Sequence, residues 1–390
     1  MNADAGQTFN FLPIPTDVHF GFGAVQTLGS IVRSLGGARA FVVTDPGVRG
    51  SGIVDQVTEV LKRHAIEFEI YDQVTADSGS RLICEAVDRL KSASGDVVVG
   101  VGGGSALDTA KAVAALATNP GSPLDYVGLH KVRNRPLPTV AVPTTAGTGS
   151  EVTLWSVFTD DERKLKVAIG GLPIYPAVAL CDPDLTTGLP PALTASTGMD
   201  ALAHAIECYT NKACQPISAA LALKAVALIG RHLRRAVADA NDREARYAML
   251  LASTMAGMAM NPTRLGLAHA LAMPLGSWDL KIPHSIAIAV TLPLVMQFNA
   301  CAAPERFVDV ARELGEPVDG LARLEAAGRA AGAVSGLADA IGIPKGLAGF
   351  GLREDHVGKV VDEAMKSGNV VVNSRETSPE QLAAILRSAL

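Results

Sequence analysis

One aspartate and three histidines in the second half of the chain have residue types and spacing that could hold a metal ion. Asp200 and His204 stand four residues apart in a stretch of helical composition, so both project from one face of a helix. His269 lies in an apolar run, and His284 follows a proline at the start of an uncharged segment. Singly, each reads as a helix-surface contact, a core histidine or a loop residue. Together they are costly to bury unless paired or bound to metal.

The donor set limits which metals would fit. One carboxylate and three imidazoles suit Fe²⁺, Zn²⁺, Co²⁺ or Ni²⁺, and the set does not choose among them. The other five histidines lie in polar or turn-like contexts. We assign them no role.

A glycine-rich turn is the second candidate site. The residues that follow the apolar run 96–101 are Gly102, Gly103, Gly104 and Ser105, and a helix comes next. Glycines let backbone N–H groups approach a ligand, and a helix N-terminus attracts anions, so this arrangement favours a phosphate site over an ordinary tight turn. Leu107 stands where a standard dinucleotide fingerprint has its third glycine, and no Gly-Lys-Ser/Thr follows.

Two further polar features follow predicted strands. Asp45 comes directly after the run 40–44 and could bind an adenosine ribose if that strand lies beside the strand 96–101. On spacing alone, Asp45 is equally well explained as a turn residue. The loop 143–151 after the strand 139–142 is dense in hydroxyls and glycines, which suits the ligand crevice at the carboxyl ends of parallel strands.

Strands and helices alternate in the first half of the chain. Further strands are predicted at 67–71, and helices at 53–63, 81–90 and 106–116. Continuous apolar strands between helices indicate a parallel sheet covered on both faces. Strand-like runs between 152 and 181, namely VTLWSVF, KVAIG and AVALC, are predicted to form a β extension. Helical runs then follow at 192–209, 216–237, 245–260 and 379–390, so we place a domain boundary near Gly188.

Composition excludes several classes of partner. The 390 residues carry a net charge of −5, so nucleic acid is not an expected partner, and no polybasic segment favours an anionic membrane. The first basic residue is Arg33, which predicts no secretory signal. The uncharged stretch 282–304 contains prolines and amides and is predicted to be a buried helix and connection. Five cysteines without a CxxC pair fit a reducing cytoplasm.

Five segments together resemble the iron-containing (group III) alcohol dehydrogenases. They are GGGSALDTAK, PTTAGTGSEVT, GMDALAHAIE, GLAHALAMPLG and IPHS, and their order and spacing are highly specific. The resemblance runs along nearly the whole chain. It implies an α/β NAD-binding domain with a Rossmann-like parallel sheet over residues 1–188. It also implies an all-α metal-binding, catalytic domain over 189–390, a dehydroquinate synthase-like architecture and an active site in the cleft between the domains.

The resemblance also assigns residues. It implies that the metal ligands, and hence the catalytic residues, are Asp200, His204, His269 and His284. The positions that match the family's cofactor contacts are Asp45, Gly102, Gly103, Gly104, Ser105, Asp108, Thr144, Thr145, Thr148 and Lys166. Asp45 matches the ribose-binding acid, which favours NAD over NADP. Fe²⁺ is favoured over Zn²⁺, and relatives commonly form homodimers or larger assemblies.

The chain departs from the family pattern at three places. Many members have a second histidine four residues after the first, viewed as a proton-relay group, whereas this chain has Met273. The usual Pro-His-Gly reads Pro-His-Ser, ending at Ser285. The segment 75–79 lacks the family's Asn-Pro turn, so cofactor contacts there stay open.

These features predict a cytoplasmic, metal-dependent, NAD-linked alcohol dehydrogenase or aldehyde reductase. Its reaction would be reversible hydride transfer between a small alcohol and nicotinamide, with the metal polarising the substrate oxygen. Three alternatives remain: a metal-independent reductase resembling maleylacetate reductase, a lyase resembling dehydroquinate synthase and a non-catalytic NAD-binding protein. Net NADH production with an alcohol would exclude the lyase, and activity without metal would favour the maleylacetate reductase type.

Overall fold

Strands and helices alternate up to residue 189, and the described residues after it form helices and the turns that connect them. The computed structural model describes Phe9, residues 14–278 and residues 280–390. Contacts within the chain group Ile14–Leu189 into one unit and place Pro190–Leu390 in a second.

The first unit is built on a six-stranded parallel sheet with the order β1-β9-β6-β4-β2-β3. Its strands are β1 (Asp17–Phe20), β2 (Arg39–Val43), β3 (Glu67–Tyr71), β4 (Val97–Gly102), β6 (Thr139–Pro143) and β9 (Val178–Cys181). The strands predicted at 40–44, 67–71, 96–101 and 139–142 are confirmed. β2 pairs with β4, which is the arrangement that the interpretation of Asp45 required.

Both faces of this sheet are covered, because residues alternate between two apolar clusters along each strand. Ala40, Val42 and Val97 belong to one cluster, whereas Phe41 and Val98 belong to the other. The helices of this unit are α1 (Leu28–Ser34), α2 (Pro46–Gly50), α3 (Ile53–Arg63), α4 (Ser80–Ser92) and α5 (Gly104–Thr118). This is the predicted α/β architecture.

The predicted β extension is confirmed in part. A separate three-stranded sheet has the order β5-β8-β7 and is formed by β5 (Gly128–Leu129), β7 (Trp155–Asp160) and β8 (Leu165–Gly170). The assignment of AVALC to this extension is wrong, because that run is β9, which pairs with β1 and β6 in the main sheet. All four residues of β9 are buried, as expected for an inner strand covered on both faces.

A buried lysine joins α5 to the segment that carries the hydroxyl-rich loop. Lys111 is 2% exposed, and its Nζ lies 2.9 Å from Asp108 Oδ1. It also donates hydrogen bonds to the carbonyl oxygens of Ser150 and Trp155. Asp108 in turn accepts hydrogen bonds from the Ser150 hydroxyl and, at 3.0 Å, from the Val157 N–H. This network fixes the glycine turn relative to the loop 144–151.

Helices joined by turns and loops make up the described residues of the second unit, which include no strand. Its helices are α6 (Pro191–Thr210), α7 (Pro216–Ala238), α8 (Arg243–Thr263), α9 (Leu267–Leu275), α10 (His284–Asn299), α11 (Pro304–Glu313), α12 (Arg323–Ala340), α13 (Glu354–Ala364), α14 (Gly368–Val372) and α15 (Pro379–Arg387). The predicted helices all appear, and α10 is the buried helix expected within 282–304. α7 is long and apolar enough to cross a membrane by length and composition alone, a test that core helices of soluble proteins also pass. It packs against α6 and α8.

Replacing Lys111 by methionine should destabilise the first unit. The variant keeps most of the buried volume but leaves Asp108 without its counter-charge, and breaking a buried pair in this way costs about 3 kcal/mol. Denaturant unfolding followed by circular dichroism measures the change. The exposed Lys131→Met is the matched control and should stay within about 0.5 kcal/mol of the parent. Equal midpoints for the two variants would show that the Lys111 network contributes no stability.

Candidate metal centre and nucleotide site

Helix α6 supplies two of the predicted ligands. From Thr194 to its end almost every residue of α6 is buried, so polar side chains here point into the interior. Asp200 is 2% and His204 5% exposed. Their i, i+4 spacing brings His204 Nε2 to 3.9 Å from Asp200 Oδ1, so the predicted shared face is observed.

The other two histidines come from α9 and α10. His269 stacks on His204 with 4.5 Å between ring centroids, and its Nε2 lies 3.5 Å from Asp200 Oδ1. His284 is the first residue of α10, and its ring centroid lies 5.7 Å from that of His269. One ligand atom each from Asp200, His269 and His284 lies within 4.8 Å of the other two. The structure therefore clusters three of the predicted ligands and places the fourth, His204, against two of them.

Two polar atoms in this cluster suit a cation. Asp200 Oδ1 and His269 Nε2 are buried and have no hydrogen-bond partner among the described residues. Such atoms carry a desolvation cost that a bound cation would remove. The residues therefore fit a divalent metal by donor chemistry as well as by proximity.

The electrostatics of the cluster are coupled. Burial raises the pKa of Asp200, but His204 and the other imidazoles outweigh burial and hold that pKa below its usual range. Burial lowers the pKa of His269, but Glu207 and Asp200 outweigh burial and raise it to about 9. Negative charge therefore dominates around His269, and a cation at its Nε2 would take the place of the proton.

Glu207 is a member of the cluster that sequence reasoning missed. It is 4% exposed, and its Oε2 accepts a 2.6 Å hydrogen bond from His269 Nδ1. The available signal was its spacing, since Glu207 stands seven residues after Asp200 on α6 and so lies on the same face. A glutamate inside an apolar helix of this kind is unusual unless it is paired.

The glycine turn begins α5 as predicted. Gly102 has φ +150°, a conformation that favours glycine. Gly103 is the N-cap of α5, and because it has no side chain it leaves the first N–H groups of the helix without a side-chain cap. A Cβ on Gly104 would lie 2.6 Å from Thr148 Cγ2, so close packing against the hydroxyl loop also requires glycine here. A helix N-terminus that is not capped by its own side chain suits a pyrophosphate.

Most of the remaining cofactor candidates surround this turn. Asp45 Oδ2 lies 3.3 Å from the position that a Cβ on Gly102 would occupy, and Thr145 approaches Gly103 in the same way. The Thr144 N–H donates to the Gly102 carbonyl at 3.0 Å. Asp108, by contrast, is already engaged with Lys111, Ser150 and Val157.

Lys166 is linked to the glycine turn by Asp77, a residue that the sequence analysis did not single out. Its Nζ forms a 2.5 Å ion pair with Asp77 Oδ1, and the Asp77 N–H donates to Ser105 Oγ at 3.4 Å. Asp77 lies in the segment 75–79 that departs from the family pattern, and it has φ +58°.

Known proteins match this chain over nearly its whole length. A family model described as iron-containing alcohol dehydrogenase matches residues 15–183, and one for the C-terminal part of the Fe-containing alcohol dehydrogenase family matches 194–390. The 1,3-propanediol dehydrogenase of Klebsiella pneumoniae is 40% identical over 384 residues, which covers 98% of each chain.

Solved structures agree with these matches. A 1,3-propanediol oxidoreductase superposes with a TM-score of 0.95 at 40% identity, covering 98% of this chain and 100% of that one. Sulfoacetaldehyde reductase from Bifidobacterium kashiwanohense, solved in complex with NAD⁺, gives a TM-score of 0.88 at 30% identity, covering 98% and 99%. The chain is therefore an oxidoreductase that belongs to the iron-containing alcohol dehydrogenase family.

Proposed function

We propose that this enzyme oxidises a small alcohol, and reduces the matching aldehyde, with NAD and a divalent metal held by Asp200, His204, His269 and His284. The observation that carries this proposal is the buried cluster in which Asp200 Oδ1 and His269 Nε2 have no hydrogen-bond partner among the described residues. A purely structural cluster would satisfy those atoms internally.

A metal bound there supplies Lewis-acid stabilisation of charge on the substrate oxygen. The chain's own part is to hold the ion with one carboxylate and three imidazoles, of which Asp200, His204 and His269 are buried. Fe²⁺ is the proposed metal, which accords with the family's iron-containing members, and Zn²⁺ is the alternative that the same donors accept.

The cofactor is proposed to lie at the glycine turn. The N-terminus of α5 would receive the pyrophosphate, with Gly102, Gly103, Gly104 and Ser105 around it. Thr144, Thr145 and Thr148 would contact the cofactor from the hydroxyl loop, and Lys166 from β8. Asp108 acts there by fixing that loop. Asp45 would bind the ribose and repel a 2′-phosphate, so NAD is proposed over NADP.

Met273, one helical turn beyond His269, cannot carry the proton that leaves the alcohol, so the proton needs another route. Met273 is half-buried at that position, and a thioether neither gives nor takes a proton at neutral pH. We propose that water or a cofactor hydroxyl carries the proton. A short primary alcohol is the proposed substrate class, supported by the similarity to 1,3-propanediol dehydrogenase.

Location and assembly are also proposed. The five cysteines are free thiols, which accords with a reducing cytoplasm. We propose that the enzyme is a cytoplasmic homodimer or larger homo-oligomer with no nucleic-acid or membrane partner.

Removing the metal should abolish turnover, and Fe²⁺ or Zn²⁺ added under anaerobic conditions should restore it. Absorbance of NADH with a panel of alcohols and aldehydes measures the rate. His269→Ala should lower kcat by at least about 100-fold because it removes a ligand and one of the hydrogen bonds to the Glu207 carboxylate. His232→Ala on α7 is the control and should keep the parent rate. Undiminished turnover of the metal-free enzyme would favour a metal-independent reductase.

Asp45→Asn should relax the choice of cofactor while keeping the local fold. Asparagine also caps helices well, so it can replace Asp45 Oδ1 as acceptor of the Val48 N–H, which lies at 3.0 Å. Loss of the charge should raise the ratio of kcat/KM for NADP to that for NAD about tenfold, equivalent to about 1.4 kcal/mol. Asp242→Asn makes the same change at the N-cap of α8 and should leave the ratio unaltered. An unchanged ratio in Asp45→Asn would remove Asp45 from the ribose site.

A further inference from the structure

We propose that Glu207 is a positioning residue that holds the His269 ring in the orientation and tautomer needed to bind the metal. The inference rests on the proposed function of the cluster. Glu207 is not one of the four proposed ligands, but its carboxylate contacts one of them, His269.

Among the described residues, the Glu207 carboxylate accepts three hydrogen bonds, and all three donors lie in the segment that carries His269. Its Oε2 accepts from the Gly266 N–H at 2.8 Å and from His269 Nδ1 at 2.6 Å. Its Oε1 accepts from the Ala268 N–H at 2.7 Å. A carboxylate that accepts from three donors requires the proton on Nδ1, which leaves Nε2 as the nitrogen for a metal.

These bonds also replace the cap that α9 lacks. Gly266 is the N-cap of α9 and has no side chain to bond the first N–H groups of the helix. Glu207 satisfies two of them from α6, and its negative charge is favourable at a helix N-terminus. The backbone of α9 and the His269 ring are thus fixed by one carboxylate.

The carboxylate itself has little room to move. A Cβ on Gly266 would lie 2.8 Å from Glu207 Oε1, so the absence of a side chain at Gly266 is what lets the carboxylate approach. Gly266 has φ −139°, which residues other than glycine also adopt. A side chain at this position would therefore clash with Glu207 but would not strain the backbone.

The resulting geometry directs His269 toward the other ligands. With Nδ1 held by Glu207, Nε2 faces Asp200 Oδ1 at 3.5 Å. A carboxylate that bonds the far nitrogen of a ligating histidine fixes its ring and strengthens it as a ligand, and loss of such a carboxylate typically weakens metal binding 10- to 100-fold.

Glu207→Gln tests this role by direct Co²⁺ binding to metal-free protein, followed through the visible d–d bands. Co²⁺ should bind about 10- to 100-fold more weakly than to the parent, with altered bands. In metal-free protein labelled with ¹⁵N-histidine, the Nδ1–H signal of His269 should shift or disappear. A role in helix capping alone would change neither the affinity nor the bands.

Asp182→Asn is the matched control for lost capping. Asp182 is also buried, and its two oxygens accept three backbone N–H groups, those of Gly23, Val25 and Asp184, each at 3.1 Å. It should lose stability as Glu207→Gln does but bind Co²⁺ within twofold of the parent.

Gly266→Ala disturbs the same contact from the other side and does not alter the carboxylate. It should weaken Co²⁺ binding in the same direction, and it keeps the proposal testable if Glu207→Gln does not fold. Parent-like Co²⁺ affinity in the folded variants would overturn the inference alone. Failure of the parent protein to bind Co²⁺ would overturn the proposed function and leave Glu207 as a helix cap.

Discussion

Two buried carboxylates on one face of α6 must be paired, and the arrangement of the neighbouring helices in the second unit depends on that pairing. Asp200 and Glu207 are 2% and 4% exposed, and burial of a charged carboxylate is costly unless it is paired. His204 and His269 pair with Asp200, and His269 also pairs with Glu207. α9 must therefore bring His269 to α6. A divalent cation would balance the two negative charges, so the cluster is suited to a dication.

Polar contacts between α6 and the turn that joins α8 to α9 help to bring His269 to α6. Asn211 stands four residues after Glu207, at the end of α6, and its Nδ2 donates to the Arg264 carbonyl at 3.2 Å. Arg264 itself has φ +58°, a conformation that non-glycine residues adopt rarely. Asn211 and Glu207 together thus fasten the strained end of α8 and the start of α9 to α6. The position of His269 follows from polar contacts made before α9 begins, in addition to apolar packing within the helix.

The sequence was informative wherever the signal is local. Apolar runs bounded by turns predicted four of the six main strands, and the i, i+4 spacing predicted the contact between Asp200 and His204. β9 was assigned to the wrong sheet because a buried four-residue run reads the same in either sheet, and its pairing with β1 joins residues about 160 positions apart. β1 was not predicted, since DVHF is short and half polar.

Glu207 was missed for a related reason: its partners, Gly266, Ala268 and His269, are about 60 residues away. Its same-face spacing from Asp200 was visible in the sequence, but that spacing alone does not distinguish a paired interior acid from a solvated one. Spacing of this kind becomes informative only when the whole helix is known to be buried, as α6 is.

Asp45 shows that two explanations of one residue can describe the same arrangement. The sequence supported a turn residue and a ribose-binding acid equally. In the structure Oδ1 caps α2 by accepting the Val48 N–H, while Oδ2 lies toward Gly102. The cap fixes the side-chain rotamer, and the fixed rotamer points the second oxygen at the glycine turn. A carboxylate has two oxygens with separate acceptor sites, so the local structural role pre-organises the proposed binding role and does not compete with it.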